Sequence, residues 1–292
     1  MEPSKVHWHL NNESRYHFGK VSPDSAWFEP IGFPPPWPSR PWIYAVMVAS
    51  ANGVVAWKRK PGEEHPVHTI LGSDPQRPER IADLLHMRHL RCFGDCSLGA
   101  ETQRDQRGLI QTPQEAWEHK VYPELEPVSE SLYRFRVAYD LPFHPRNIRY
   151  SPSGRLDLSD LLFSTPGVEV IVVTTEAGAK ALEATGAREK GVKLIAEPTL
   201  DAKGLVRAHE RLFSDYGVRY LDCEGGETIL SALREAGILD EVFLTVTDVE
   251  IDEAGHESVK KMFDLEGAEL VAEGKISPQS AWIFRRWRLN HR

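Results

Sequence analysis

The run from Val218 to Thr247 restricts the fold more than any other segment, because it reads as strand, glycine turn, helix and strand in immediate succession. Val218–Asp222 is a short β-rich stretch, and Gly225-Gly226 allow a tight reversal with close backbone approach. Ile229, Leu230, Leu233 and Ala236 then recur at helical spacing until Gly237 stops the helix. A helix that starts directly after two glycines leaves its first N–H groups unpaired and points its positive dipole end beyond the strand, where an anion is favoured. The pyrophosphate of a dinucleotide is the anion such a turn suggests; a turn with ordinary helix packing is the other reading.

Segments upstream repeat the alternation. Val168–Thr175 is a strand, Glu176–Ala184 a helix closed by Gly186, and Val192–Ala196 a further strand before a helix marked by Leu205, Val206, His209, Leu212 and Phe213. Strands separated by helices predict parallel pairing with helical crossovers. The C-terminal end differs: Glu241–Thr247, Leu270–Lys275 and Ala281–Leu289 succeed one another without a helix and close the sheet with antiparallel strands. Pro41–Ala49 is a near-continuous apolar run, expected as a central buried strand, and a helix is expected over Arg77–Arg91. Between 106 and 144 the pattern is less regular, with a helix near Gln114–Val121 and a strand-like Tyr133–Val137. The expected class is a mixed α/β sheet, parallel in its centre and antiparallel at its C-terminal edge, with helices on both faces.

A chain of 292 residues that is 41% hydrophobic and 27% charged can bury one large core or two modest ones. Residues 1–40, ending in Pro30–Pro38, read as an extended proline-rich arm poor in regular structure, and 41–292 as the domain. Trp8, Tyr16, Phe18, Trp27, Phe28, Phe33 and Trp37 give the arm aromatic surface that needs cover from its own domain or from a second subunit. No run is long and apolar enough to span a bilayer, and Met1–Leu10 lacks the basic-then-apolar pattern of a secretory signal, so a cytosolic setting without membrane contact is expected. Cys92, Cys96 and Cys223 are too few for a disulfide framework, and a formal net charge of −8 argues against nucleic acid as a partner.

Four blocks, Arg40–Val55, Leu90–Asp105, Pro145–Arg155 and Glu224–Thr228 with its helix, resemble in order and spacing the pyrimidine reductase of riboflavin biosynthesis, the reductase domain of the bifunctional deaminase-reductase family. The resemblance implies a dihydrofolate-reductase-like fold, NADPH as cofactor, a homodimer, and hydride transfer to the ribosyl C1′ of a phosphorylated ribosylamino-pyrimidine. It places Gly99, Ala100 and Thr102 in the loop that holds the cofactor's phosphates and nicotinamide side, with Asp105 just after it. Val173 and Thr174 end the strand beside the adenosine portion, and Gly225, Gly226, Glu227 and Thr228 form the second cofactor turn. The hydroxyls of Thr174 and Thr175 would otherwise cap the helix at Glu176. Glu224 stands where an acidic residue touches the substrate or orients the nicotinamide; a structural acceptor of backbone N–H groups is the alternative. Asn52 and Glu224 are therefore the candidate catalytic residues, and Ser50, Lys58 and Arg104 the candidate substrate contacts.

Departures from the family's pattern are as informative. Ser50-Ala51-Asn52-Gly53 stands where the family has Ser-Leu-Asp-Gly, and an amide cannot exchange a proton as a carboxyl does. Asp105 arrives one position early, and the late loop Asp248–Ala254 is acidic instead of apolar. These changes keep open a reductase of another substrate, including a dihydrofolate-type one, and a catalytically silent nucleotide-binding dimer. The deaminase half's His-x-Glu and Pro-Cys-x-x-Cys zinc motifs do not occur. His86, His89, Cys92 and Cys96 have donor chemistry that suits zinc, but about 100° of helix rotation per residue spreads them apart, so no metal site is assigned.

Overall fold

Apolar runs and glycine-ended helices resolve into regular elements in the computed structural model, which describes residues 5–11, 21–60, 62–115 and 118–291. The strands are β1 (His7–Asn11), β2 (Trp42–Ala49), β3 (Val54–Lys58), β4 (Asp95–Gly99), β5 (Asn147–Tyr150), β6 (Val170–Thr175), β7 (Lys193–Glu197), β8 (Tyr220–Cys223), β9 (Glu241–Val246), β10 (Glu257–Lys261), β11 (Glu269–Lys275) and β12 (Ile283–Arg288). No helix among the described residues is long and apolar enough to cross a membrane.

The chain divides into two units. The first draws on Met1–Pro34, Ala45–Met87 and Asp240–Arg292. Its strands run in the order β1-β11-β12-β9-β2, with β1, β11, β12 and β9 paired antiparallel. Val6, Ala82, Trp282 and Phe284 form one apolar cluster there, and Val54, Trp57, Ile70 and Ile251 another. The second unit draws on Pro35–Tyr44 and Arg88–Leu239. Its order is β2-β8-β4-β5-β6-β7, parallel from β8 to β7. Leu158, Leu162, Phe163, Val170, Val172 and Leu182 pack beneath its far strands. The expected mixed class, parallel centre and antiparallel C-terminal edge, is what forms.

The crossover helices follow the sequence closely, with Glu176–Ala184 and Ala202–Tyr216 flanking β7 and Glu227–Glu235 following β8. Gly237, at φ 68°, ends the last of these because only glycine adopts that conformation without strain.

Three expectations need correction. Tyr133–Val137 is not a strand but lies inside helix Glu126–Ala138, which carries Pro127 in its first turn and turns Val128, Leu132 and Phe135 inward. Its alternation misleads because Arg136 is also buried, donating from Nη1 to the carbonyls of Arg91, Cys92 and Gly94 at 3.0, 3.2 and 2.8 Å. The acidic late loop leads into a strand no apolar pattern marked: β10 pairs antiparallel with β3 as a separate ribbon. The arm, expected to be irregular, supplies β1, and Phe28, Ile31 and Phe33 are buried in the first unit. The Phe33 ring lies 5.9 Å from that of Phe243, with the Arg286 guanidinium 4.9 Å above it. Tyr16 and Phe18 lie outside the described residues.

What sets β4 beside β8 is a glycine. A Cβ at Gly94 would lie 2.2 Å from the Tyr220 carbonyl oxygen, a rigid backbone atom, so only a residue without a side chain fits. Gly94→Ala is expected to lower stability by at least the about 1–3 kcal/mol typical of overpacking; denaturant titration with an unchanged midpoint would contradict it.

Candidate active site

β8 and β4 continue to approach one another past their ends. Glu224 N–H donates to the Ser97 carbonyl at 3.0 Å, and Gly99 N–H donates to the Gly225 carbonyl at 2.9 Å, so the 224–226 turn lies against the 99–102 loop. The Gly225-Gly226 peptide is cis. Gly226 is the N-cap of helix Glu227–Glu235 and supplies no side-chain hydrogen bond to its first turn, where Glu227 and Thr228 stand. A Cβ built at Gly99 would sit 4.0 Å from the Gly226 nitrogen, and one at Gly226 would sit 3.4 Å from Thr102 Oγ1. Two stretches of bare backbone and one hydroxyl thus converge at the positive end of a helix, a surface whose chemistry suits a phosphate. Ala100 is buried beneath this loop, while Arg104 and Asp105 are exposed, Arg104 donating to the Arg155 carbonyl at 3.0 Å.

Behind the turn lies a charged cluster that sequence spacing did not reveal. Arg91, in the last turn of helix Pro78–Arg91, is almost fully buried and grips Glu224 with two donors: Nη2 reaches Oε2 at 2.7 Å and Nε reaches Oε1. Its Nη1 donates to Glu115 Oε1 at 2.7 Å and to the Thr112 carbonyl at 3.0 Å. Burial works against the guanidinium's charge, but Glu224 and Glu115 outweigh it and hold Arg91 firmly protonated.

Asp222, two residues before Glu224, is fully buried, and no N–H or O–H donor reaches its carboxyl oxygens; its side-chain hydrogen-bonding neighbour is the Glu224 carboxyl. Burial, and then the charge of Glu224, raise it well above the ordinary carboxylate range, so it holds a proton. One oxygen of each carboxyl and Cys96 Sγ lie within 4.8 Å of one another. The Cys96 thiol is likewise raised far above its usual value, by burial and then by Asp222 and Glu224. The signal in the sequence was a lone acid inside the apolar run Tyr220–Cys223. Among the described residues the donors of His86, His89, Cys92 and Cys96 do not converge. Burial pushes His86 down to about 4 and Cys92 up to about 12, which fits neutral core side chains.

The remaining candidates serve the backbone. Val173 and Thr174 are fully buried, and Thr174 Oγ1 donates to the Ser151 carbonyl at 2.6 Å. Thr175 is the cap of helix Glu176–Ala184, accepting from Gly178 N–H at 3.0 Å and donating to the Pro152 carbonyl at 2.7 Å. In the first unit, Ser50 Oγ accepts from Val54 N–H and donates to Asn52 Oδ1, at 2.9 and 2.8 Å. Asn52 then pairs with both backbone groups of Ile251, Nδ2 donating to its carbonyl at 2.9 Å and Oδ1 accepting its N–H at 3.1 Å, and Nδ2 lies 3.2 Å from Glu253 Oε1. An amide has the donor and the acceptor this needs, whereas a carboxylate would lose the donor and face Glu253. Lys58 pairs at 2.9 Å with Glu257 on β10.

No family model matches the sequence, and no curated protein matches it. Solved structures match by fold. A pyrimidine reductase-like protein of Corynebacterium diphtheriae is 19% identical, with 87% of this chain and 94% of that chain covered and a TM-score of 0.60. RibD of Acinetobacter baumannii is 15% identical, with 87% of this chain and 59% of that one covered and a TM-score of 0.57, so this chain spans well under two thirds of RibD. The riboflavin biosynthesis reductase of Saccharomyces cerevisiae is 14% identical, with 86% and 90% covered and a TM-score of 0.50. The fold implied by the four sequence blocks is thus the fold of these proteins.

Two outcomes follow from this geometry. Asn52→Asp should destabilise the protein by about 1–3 kcal/mol through the unsatisfied Ile251 carbonyl, read by denaturant titration. Asp222 binds its proton more tightly folded than unfolded, so its effect is absent below the ordinary carboxylate range, and stability falls as pH rises from there toward its raised folded value. Asp222→Asn should remove that decline; an unchanged stability-against-pH curve would show that Asp222 does not cause it.

Proposed function

We propose that this chain, on a fold shared with pyrimidine reductases of riboflavin biosynthesis, is a reductase that takes NADPH and a phosphorylated ribosylamino-pyrimidine. The observation that carries the reading is the bare-backbone cradle, in which the Gly225-Gly226 turn feeds helix Glu227–Glu235 and lies against Gly99–Thr102. A dinucleotide phosphate fits it: there is no side chain to displace, the helix dipole favours the charge, and the Thr102 hydroxyl adds a donor. In the proposal Gly99, Ala100, Thr102, Gly225, Gly226, Glu227 and Thr228 hold the phosphates and nicotinamide side. Val173 and Thr174 shape the adenosine side by packing, since the Thr174 hydroxyl is committed to Ser151.

The bound cofactor would supply hydride from nicotinamide C4 to an imine or carbonyl carbon. The protein's part is to hold the acceptor in line, exclude water and manage the proton. Glu224, fixed by Arg91 at the rim of the cradle with its side chain 11% exposed, is the group placed to touch the reacting partner. The roles suggested for Ser50, Asn52 and Arg104 rest on the family resemblance and that of Lys58 on the basic cluster Lys58-Arg59-Lys60, and a homodimer in the cytosol belongs to the same reading. Commitment of Asn52 to Ile251 and of Lys58 to Glu257 favours a second reading, a reductase of a different phosphorylated substrate.

NADPH titration followed by its oxidation in the presence of the phosphoribosylamino-pyrimidine tests the function. Gly226→Val should weaken NADPH binding at least about tenfold, or about 1.4 kcal/mol, by placing methyl groups in the cradle. A folded variant that binds NADPH as the parent does would remove this cradle as the cofactor site. Binding without oxidation would point to the second reading.

A further inference from the structure

We infer that Asp222 and Glu224 form a proton-holding carboxyl pair, with buried Asp222 as the store and Glu224 as the group that hands the proton to the substrate. Glu224 directly follows β8, two residues beyond Asp222, and one oxygen of each carboxyl lies within 4.8 Å of the other. Asp222 has no exposure and no N–H or O–H donor, only the Glu224 carboxyl as its side-chain hydrogen-bonding neighbour, whereas Glu224 reaches solvent at the cradle and is held by two donors of Arg91.

Two negative carboxylates this close in a dry site repel strongly, and Arg91 selects which one carries the charge. The groups that interact with Asp222 are Glu224 just past the end of β8, Cys223 on β8, Cys96 on β4, Tyr44 on β2 and Arg91, while Arg136 from helix Glu126–Ala138 bears on Tyr44 and Cys96. Cys223 is pushed up to about 12, and Cys96 and Tyr44 well above their usual values, all chiefly by burial, so these three stay neutral. Arg136 donates to four backbone carbonyls, those of Arg91, Cys92, Gly94 and Pro142, and the charges that shift Asp222 are those of Glu224 and Arg91. Glu224 and Arg91 are therefore the charges that act on the store.

The inference rests on the proposed reductase chemistry and completes its balance. When a dihydronicotinamide delivers hydride to the carbon of a C=N bond, a C–H bond forms, the π pair moves to nitrogen, and nitrogen takes one proton. Glu224, the charged member of the pair, first takes the proton from Asp222 and then passes it to that nitrogen; Asp222 is left as the carboxylate until a proton from solvent returns to it through Glu224. Asn52, the amide at the position of the family's aspartate, has no proton to give. Asp222 is a positioning residue in this scheme, acting only through Glu224.

The pair and the function can be tested separately. Infrared difference spectra of the full-length protein, parent minus Asp222→Asn, should show at neutral pH the carbonyl stretch of a protonated carboxyl that shifts in D2O. Glu224→Gln should move its titration to lower pH by removing the neighbouring charge, and this second variant also serves if Asp222→Asn does not fold. In NADPH oxidation with the phosphoribosylamino-pyrimidine, Asp222→Asn should lower kcat by about 10²-fold with the KM for NADPH unchanged, and should lose the decline in rate at rising pH. Absence of the band, a titration indifferent to Glu224→Gln, or stoichiometric zinc in the purified protein would each overturn the pair. A band present with kcat and pH profile unchanged in Asp222→Asn would overturn the proton-transfer role. A parent that shows the band but no turnover refutes the pyrimidine-reductase reading and, with it, the role in proton transfer, while the pair itself stands.

Discussion

A buried guanidinium organises the second unit. Arg91 leaves water almost completely, which is costly for a charge, and recovers that cost only because Glu224, Glu115 and the Thr112 carbonyl all face it. Removing any partner would leave a charge stranded in a dry interior, so the arrangement tolerates little variation. The last turn of one helix, the 112–115 loop and the end of β8 are thereby held in one geometry. Glu224 is presented at the cradle in a fixed orientation, and the glycine turn that follows it starts from a fixed point.

Close backbone approach does the complementary work. Gly94 lets β4 lie against β8, and the hydrogen bonds from Glu224 to Ser97 and from Gly99 to Gly225 carry the pairing past the strands into the loops. A surface made of peptide groups at a helix N-terminus binds anions without a positively charged side chain, which suits a protein whose formal net charge is −8. Its polar groups are also preorganised, because the strands that carry them are fully paired.

Asn52 shows how one position can answer to structure and chemistry at once. Its amide satisfies both backbone groups of Ile251 and so fastens the acidic late loop to the 50–54 turn, and a carboxylate there would fail on one side and repel Glu253 on the other. Asp222 is the one acid in a strand whose other members are apolar or aromatic.

Local patterning determined the crossover helices, the parallel strands between Val168 and Cys223, the antiparallel C-terminal strands and the glycine turn, because each has a period or a stop residue that acts over one helical turn or one strand. The same local reading misassigned Tyr133–Val137, where a buried arginine imitated the exposed face of a strand, and it passed over β10, whose partner on β3 is distant in sequence. The candidate site divided in the same way. Gly99, Thr102, Gly225 and Gly226 were legible as turn residues, whereas Arg91 looked like an ordinary basic residue at a helix end and Asp222 like a blemish in a strand. Their roles arise from burial and from charges brought within a few ångströms by parallel pairing. Desolvation and like-charge proximity depend on the whole surrounding fold, so only the tertiary structure could decide them.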